Sequence, residues 1–348
     1  MCSPTLLELD TRALISRLLG GRVSAVEELG GGRNSRVFRV GVEGNDPVAV
    51  KVYTGAERLR AEYRALEFLW AKGLRLVPQP LLANPELGCA VYQFIPGERI
   101  RPGEVSGGDI DAAVAFLGTL RDLAQRPDSQ DLPPASEACL TLEGICGNIA
   151  QRLECFAGLP DQGEPCRQLH RFLAEDFAPE LERIRCWGAA HAGSLWHTPL
   201  AAERSTLSPS DFGFHNALRQ PDGKLVFLDF EHFGWDDPAK MAADFLLHPH
   251  EDMAFNQALK ERFLEQLLSR FDDPDKWLRE RVRLALPLYG LKWCMILLNE
   301  FLPAAMARRR FAVVHSLGED HLRTAQLEKA RAMLRRSQQA RTLFPQLG

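Results

Sequence analysis

No two cysteines in this 348-residue chain stand at C-x-x-C spacing, which excludes a zinc ribbon or a thioredoxin-type redox motif. The eight that are present (Cys2, Cys89, Cys139, Cys146, Cys155, Cys166, Cys186 and Cys294) are scattered, and no charged-then-apolar segment opens the chain. Reduced thiols in a cytoplasmic protein are the expectation. Charge of one sign is also missing: 42 basic against 46 acidic residues give a formal net charge of -4. A general attraction to nucleic acid or to an anionic membrane is thereby excluded, and any anion site has to be local. The densest basic run, Arg308-Arg309-Arg310, has no interleaved aromatics to stack on bases and reads as a solvated helix face. The most apolar stretch, Ala285 to Pro303, is interrupted by Pro287, Lys292 and Glu300 and falls short of the roughly 20 apolar residues of a bilayer span, so a buried helix is expected there. Repeats and low-complexity tracts are absent. What remains is an ordinary globular composition, 45% hydrophobic and 25% charged, in a chain long enough for two lobes.

Apolar spacing in residues 5–19 predicts a leading helix stopped by Gly20-Gly21, an extension over residues 1–21 with no visible chemistry. From Val23 the period shortens to two. Three strands are expected, Ala25 to Leu29, Arg36 to Val42 and Pro47 to Tyr53, separated by Gly30-Gly31-Gly32 and Glu43-Gly44-Asn45-Asp46. Arg58 to Lys72 reads as an amphipathic helix with Leu59, Tyr63, Leu66 and Leu69 on one stripe. Two further strands follow, around Leu81 and from Gly88 to Phe94, before Ile95-Pro96-Gly97 breaks the sheet. Beyond about residue 108 helical periodicity dominates, except between Asp211 and Phe230. The predicted fold is α+β: an antiparallel-sheet lobe with one main helix over residues 22–97, then a larger helical lobe over 98–348.

Candidate chemistry is spread along the chain. Glycines in the turn before Arg33-Asn34-Ser35 would let backbone N–H groups approach phosphate oxygens, although a ligand-free hairpin turn has the same look. Neither a dinucleotide fingerprint nor a P-loop is present. Lys51 lies on the apolar strand Val48-Ala49-Val50-Lys51-Val52. Glu62, placed one turn inside the next helix, could pair with it, with Glu67 as the competing carboxylate. In Leu207-Ser208-Pro209-Ser210-Asp211-Phe212-Gly213-Phe214-His215-Asn216, an aspartate and an amide stand five apart, a spacing at which a loop can aim one at a hydroxyl and the other at a metal. Asp229 follows an apolar run, an expensive place for a carboxylate without a cation. Turn and cap roles for Asp211, Asn216 and Asp229 are the alternative. His248-Pro249-His250 lacks closed metal-ligand spacing and reads as local capping or exposed surface, and His215 is a weak candidate for touching substrate.

In their joint order, the glycine turn, Lys51, Glu62, Asp211-x4-Asn216 and Asp229 resemble the aminoglycoside phosphotransferase and choline kinase superfamily, whose fold is protein-kinase-like and two-lobed. The resemblance spans residues 22–245 and is strongest from Ser208 to Pro238, where Leu228-Asp229-Phe230-Glu231 and Asp237-Pro238 look like the family's metal-binding strand and following helix start. It implies ATP and Mg²⁺ as cofactors and a small-molecule hydroxyl as acceptor. It further implies that Gly30, Gly31, Gly32 and Asn34 cover the phosphates, and that Lys51, held by Glu62, contacts them. Gln93 and Phe94 would lie in the linker that meets adenine. Asp211 in the catalytic loop (207–218) would orient the acceptor hydroxyl, and Asn216 with Asp229 on the strand 224–231 would bind magnesium. Two departures stand out. Pro209-Ser210 replace the family's histidine-containing lead-in to Asp211, so a supporting histidine is expected to be absent. Met241 occupies the place of an aspartate that recurs at Asp244, which suggests a helix shifted by one turn. The first departure keeps open a nucleotide-binding pseudokinase scaffold. A protein kinase is disfavoured by the short step from Asp229 to Asp237-Pro238, too short for a peptide-docking activation segment.

Overall fold

Period-two alternation from Val23 onward produces five antiparallel strands in the computed structural model, which describes residues 11–21, 23–31, 35–161, 163–271, 275–312 and 318–347. The chain divides into two compact units. One comprises the described residues of 1–98, 218–232 and 307–315, the other those of 99–217, 233–306 and 316–348. The architecture is α+β, with the antiparallel sheet in the N-terminal region and helices dominating the C-terminal part.

In the first unit β1 (Val23–Gly31), β2 (Ser35–Val42), β3 (Asn45–Tyr53), β4 (Pro80–Asn84) and β5 (Cys89–Gln93) are ordered β1-β2-β3-β5-β4. Alternation assigns each strand residue to a face. Phe38, Val40, Val50, Cys89 and Val91 pack with Ile15 and Leu18 of the short helix α1 (Thr11–Leu18). The intervening residues Lys51, Tyr53 and Tyr92 point the other way, toward helix α2 (Ala56–Ala71). That helix buries Leu59, Leu66 and Leu69, each worth roughly 1.5–3 kcal/mol. Glu62 lies on the same buried stripe, nearly two turns into the helix rather than the one turn expected, because the helix begins at Ala56.

The second unit is built around α9 (Trp277–Leu297), which contacts α4 (Leu142–Ala157), α7 (Pro238–Leu247) and α11 (Glu319–Gln338). By length and composition the segment Trp277–Phe301 could cross a membrane, yet 78% of its most apolar window is buried against the rest of the protein, so it is a core helix. Pro287 does not end it, and its carbonyl accepts a hydrogen bond from Ser337 Oγ at 2.7 Å. Two three-residue strands, β6 (Thr206–Ser208) and β9 (Gly234–Asp236), pair antiparallel in this unit, with Ser208 opposite Gly234. Between them in sequence the chain makes a hairpin of β7 (Ala217–Arg219) and β8 (Leu225–Phe227), turned at Gly223 with φ +86°. Every cysteine among the described residues is a free thiol; Cys2 lies outside them.

Candidate active site

Strand alternation and helix phase bring three predicted residues of the first unit together. Lys51 Nζ donates to Glu62 Oε2 at 2.7 Å and to Asp229 Oδ1 at 2.8 Å. Burial opposes a charged ammonium, but Asp229 and Glu62 outweigh it and hold the Lys51 pKa above its ordinary value. Burial also raises the Glu62 pKa, while Lys51 works in the opposite direction. Tyr53 OH donates to Glu62 Oε2 at 2.8 Å, and the Phe230 N–H reaches Oε1 at 3.4 Å, so both oxygens of this carboxylate are occupied. The Glu67 alternative is not the partner of Lys51.

Asp229 has φ +64°, a left-handed conformation that a non-glycine residue adopts under constraint. It follows β8 and breaks the strand, turning its carboxylate onto Lys51. Glu231, not singled out from the sequence, joins the cluster: a carboxylate oxygen from each of Glu62, Asp229 and Glu231 lies within 4.8 Å of the others. Against burial, His232, Lys51 and Arg58 hold the Glu231 carboxyl down at about 2. Arg58 donates to it at 2.6 Å. The Asp229 side chain is 34% exposed, whereas those of Glu62 and Glu231 are nearly closed off. A hard-oxygen donor set with one exposed member suits a small divalent cation such as Mg²⁺.

The remaining first-unit candidates are placed as follows. Gly30, with φ +113°, sits at a register irregularity between β1 and β2, and Gly31 pairs with Arg36. Gly32 and Asn34 lie outside the described residues. Gln93 is exposed at the end of β5, and its backbone N–H already donates to Gln79 O at 2.8 Å. Phe94 follows it and carries the Arg39 guanidinium over its ring at 5.2 Å.

In the second unit the loop after β6 is anchored by alternate residues. Phe212 stacks between Phe116 and Phe245, both at 5.8 Å, and Phe214 packs on Phe245 and Phe255. Asp211, just before Phe212 in this alternation, is turned the other way, with its side chain 36% exposed. Ser210 precedes it at φ +69° and is fixed from both sides: its N–H donates to Ser208 Oγ at 3.0 Å, and Lys240 Nζ donates to its hydroxyl at 2.6 Å. Asn216 Nδ2 donates to Asp211 O at 3.0 Å, which leaves the amide oxygen as the atom suited to a cation.

Two sequence expectations are corrected here. A histidine does support Asp211: His215 Nε2 and His248 Nε2 both reach Oδ1, at 3.2 and 3.1 Å. Against burial, these hydrogen bonds draw the Asp211 carboxyl well below its usual range. His248 is buried rather than exposed, and it caps the C-terminus of the helix Pro238–Leu247, its Nδ1 accepting from the His250 N–H at 3.1 Å. Helix α7 (Pro238–Leu247) starts as the sequence indicates, with Asp237 Oδ1 accepting from Ala239 N–H at 2.8 Å and proline next. Within it Lys240 stands between Asp236 and Asp244 at i±4, bonded to them at 2.9 and 3.2 Å. The spacing Asp236-x3-Lys240-x3-Asp244 was readable, but its burial was not.

The sequence profile of the phosphotransferase enzyme family (APH) matches residues 25–285. Among curated proteins no match is found. Solved structures share the fold at low identity. Plasmodium vivax ethanolamine kinase has a TM-score of 0.60 at 11% identity, with 94% of this chain and 86% of that one covered. The choline kinase LicA from Streptococcus pneumoniae gives 0.57 at 17%, covering 93% and 97%. The streptomycin-ATP-APH(2")-IIa ternary complex gives 0.57 at 14%, covering 87% and 96%. The family match extends over most of the chain, and the kinase-like fold agrees with it: the protein belongs to the phosphotransferase enzyme family and is a small-molecule kinase.

Proposed function

We propose that this enzyme transfers the γ-phosphoryl group of ATP, in the presence of Mg²⁺, to a hydroxyl of a small molecule. The observation that carries the reading is the Lys51 ammonium held between Glu62 and Asp229, a cation kept charged and aimed in a buried setting. Bound Mg·ATP would supply the transferable phosphoryl group and the divalent charge that offsets its oxygens.

The protein's own residues then divide the work. Lys51 neutralises phosphate charge while Glu62 fixes its direction. Asp229 and Asn216 offer oxygen ligands to magnesium, and Gly30 with Gly31 presents bare backbone beside the phosphates. Gln93 and Phe94 border the adenine. Asp211 accepts a hydrogen bond from the acceptor hydroxyl and aligns it. With its carboxyl held below the usual range it is a weak base, so its contribution is mainly orientation. The pseudokinase alternative rested on a missing histidine, and the two histidines on Asp211 remove that ground.

Calorimetric titration of ATP, with and without Mg²⁺, into the wild type and Asp229→Asn is the direct test. Magnesium-dependent binding weakened by the substitution is expected. An acceptor screen scored by ADP release would start from choline, ethanolamine and streptomycin, the compounds named with the structural relatives. Absence of ATP binding under every condition would overturn the proposal.

A further inference from the structure

His248 lies 37 residues beyond Asp211 in sequence, yet its ring meets the same carboxylate oxygen that His215 meets. The two rings stack at 3.9 Å with planes 15° apart, and the edge of Trp293 closes the far side of His248 at 4.5 Å. The tautomer of His248 follows from its neighbours. Its Nδ1 accepts the backbone N–H of His250 at 3.1 Å, so the ring proton is on Nε2, which donates to Asp211 Oδ1. Burial pushes the His248 pKa down to about 4, further lowered by His215 and partly offset by Asp211, so the donor is a neutral imidazole.

This arrangement also excludes a metal reading of the Asp211, His215 and His248 group. Nitrogen Nε2 could ligate only if the proton moved to Nδ1, where it would oppose the His250 N–H. The ring is held from behind by a chain of contacts. Trp293 Nε1 donates to Asp244 Oδ1 at 3.2 Å, Asp244 pairs with Lys240, and Lys240 fixes Ser210 next to Asp211. Among the described residues, both side-chain donors on the Asp211 carboxylate fall on Oδ1. The other oxygen, Oδ2, is left to face an acceptor.

We propose that His248 is the positioning residue of Asp211: its Nε2–H clamps Oδ1, with His215 beside it, and so presents Oδ2 to the acceptor hydroxyl. It supplies from the end of α7 the support that the Pro209-Ser210 lead-in lacks. The proposal rests on the phosphotransferase reading for its kinetic consequence and on geometry alone for the hydrogen bond.

The test uses the full chain in two readouts. Long-range ¹H–¹⁵N NMR of the imidazoles is expected to show His248 as the Nε2–H tautomer, with its Nε2 resonance shifted in Asp211→Ala. Kinetically, ADP release from Mg·ATP with water as acceptor is compared among wild type, His248→Phe, His248→Gln and Asp211→Ala. His248→Phe is expected to lower kcat about 10- to 100-fold with the ATP KM within about twofold, the signature of misplaced alignment. His248→Gln, whose amide N–H can reach the same oxygen, recovers most of the loss, which a merely structural role would not explain. A His248 in the Nδ1–H tautomer, or a fully active His248→Phe, would overturn the proposal. Should the wild type release no more ADP than Asp211→Ala, water is not an acceptor, the phosphotransferase reading is judged by ATP binding, and the NMR decides the hydrogen bond by itself.

Discussion

Lys240→Met removes the cation that, alone among the described residues, touches Asp236, Asp244 and Ser210 together. All three charged groups are buried, Asp236 completely. Taking one partner from a buried ion cluster costs about 3–5 kcal/mol, a large part of the 5–15 kcal/mol that holds a typical protein folded. The loss is bounded because Asp244 keeps its Trp293 donor and Asp236 keeps the Asp237 N–H. Burial already raises the Asp244 carboxyl to about 6 with Lys240 and Lys292 pulling the other way. A carboxyl whose folded pKa lies above its unfolded value of about 3.9 destabilises increasingly as pH rises between the two, here by about 3 kcal/mol above pH 6. Without Lys240 the folded value rises further, so the penalty keeps growing past pH 6. Urea unfolding of wild type, Lys240→Met and Lys240→Met with Asp244→Asn at about pH 5 and about pH 7.5 reads this directly. The single variant should lose about 3–5 kcal/mol near pH 7.5 and clearly less near pH 5. The added Asp244→Asn should return about 1 kcal/mol or more at the higher pH. A loss below about 1 kcal/mol, or one equal at both pH values, would refute the buried-triad argument.

Gly234→Ala would place a methyl 2.3 Å from Pro133 O and 2.6 Å from Ala135 N, backbone atoms that cannot swing aside, so a loss of about 1–3 kcal/mol or more is expected in thermal unfolding. Gly213→Ala brings a methyl to 2.7 Å from His215 Nδ1 and 2.8 Å from Met253 Sδ, both side-chain atoms. Melting should change little while ADP release falls, since the His215 ring is displaced from Asp211. Lys51→Met leaves Glu62 buried beside Asp229 with no cation between them. It should abolish measurable Mg·ATP binding in calorimetry and lower stability by about 3–5 kcal/mol, and unchanged binding would contradict the role given to Lys51.

The elements near the first candidate site were legible because their signals are local. Period two in Val48 to Tyr53 assigns Lys51 to one sheet face, and helical phase assigns Glu62 to the buried stripe with Leu59 and Leu66. Strand and helix ends moved by one or two residues, since fraying termini carry weak patterns. The support of Asp211 was not legible. Pro209-Ser210 suggested an unsupported loop; of the two histidines that meet Asp211, His215 reads only as a candidate for touching substrate, and His248 sits at the end of a helix 37 residues later, where His248-Pro249-His250 has the look of a surface turn.

Sequence by itself therefore determined the chemistry on offer: which strand carries a lysine, which helix a matching carboxylate, and which loop an aspartate and an asparagine. These follow from side-chain identity and backbone periodicity, properties of adjacent residues. Only the tertiary structure decided how those groups are held. Whether Lys240 bridges two acids, whether Glu231 joins Asp229, and which ring clamps Asp211 depend on long-range packing that buries each group and forces it to find a partner. That requirement has no linear signature, because burial is a property of the folded chain.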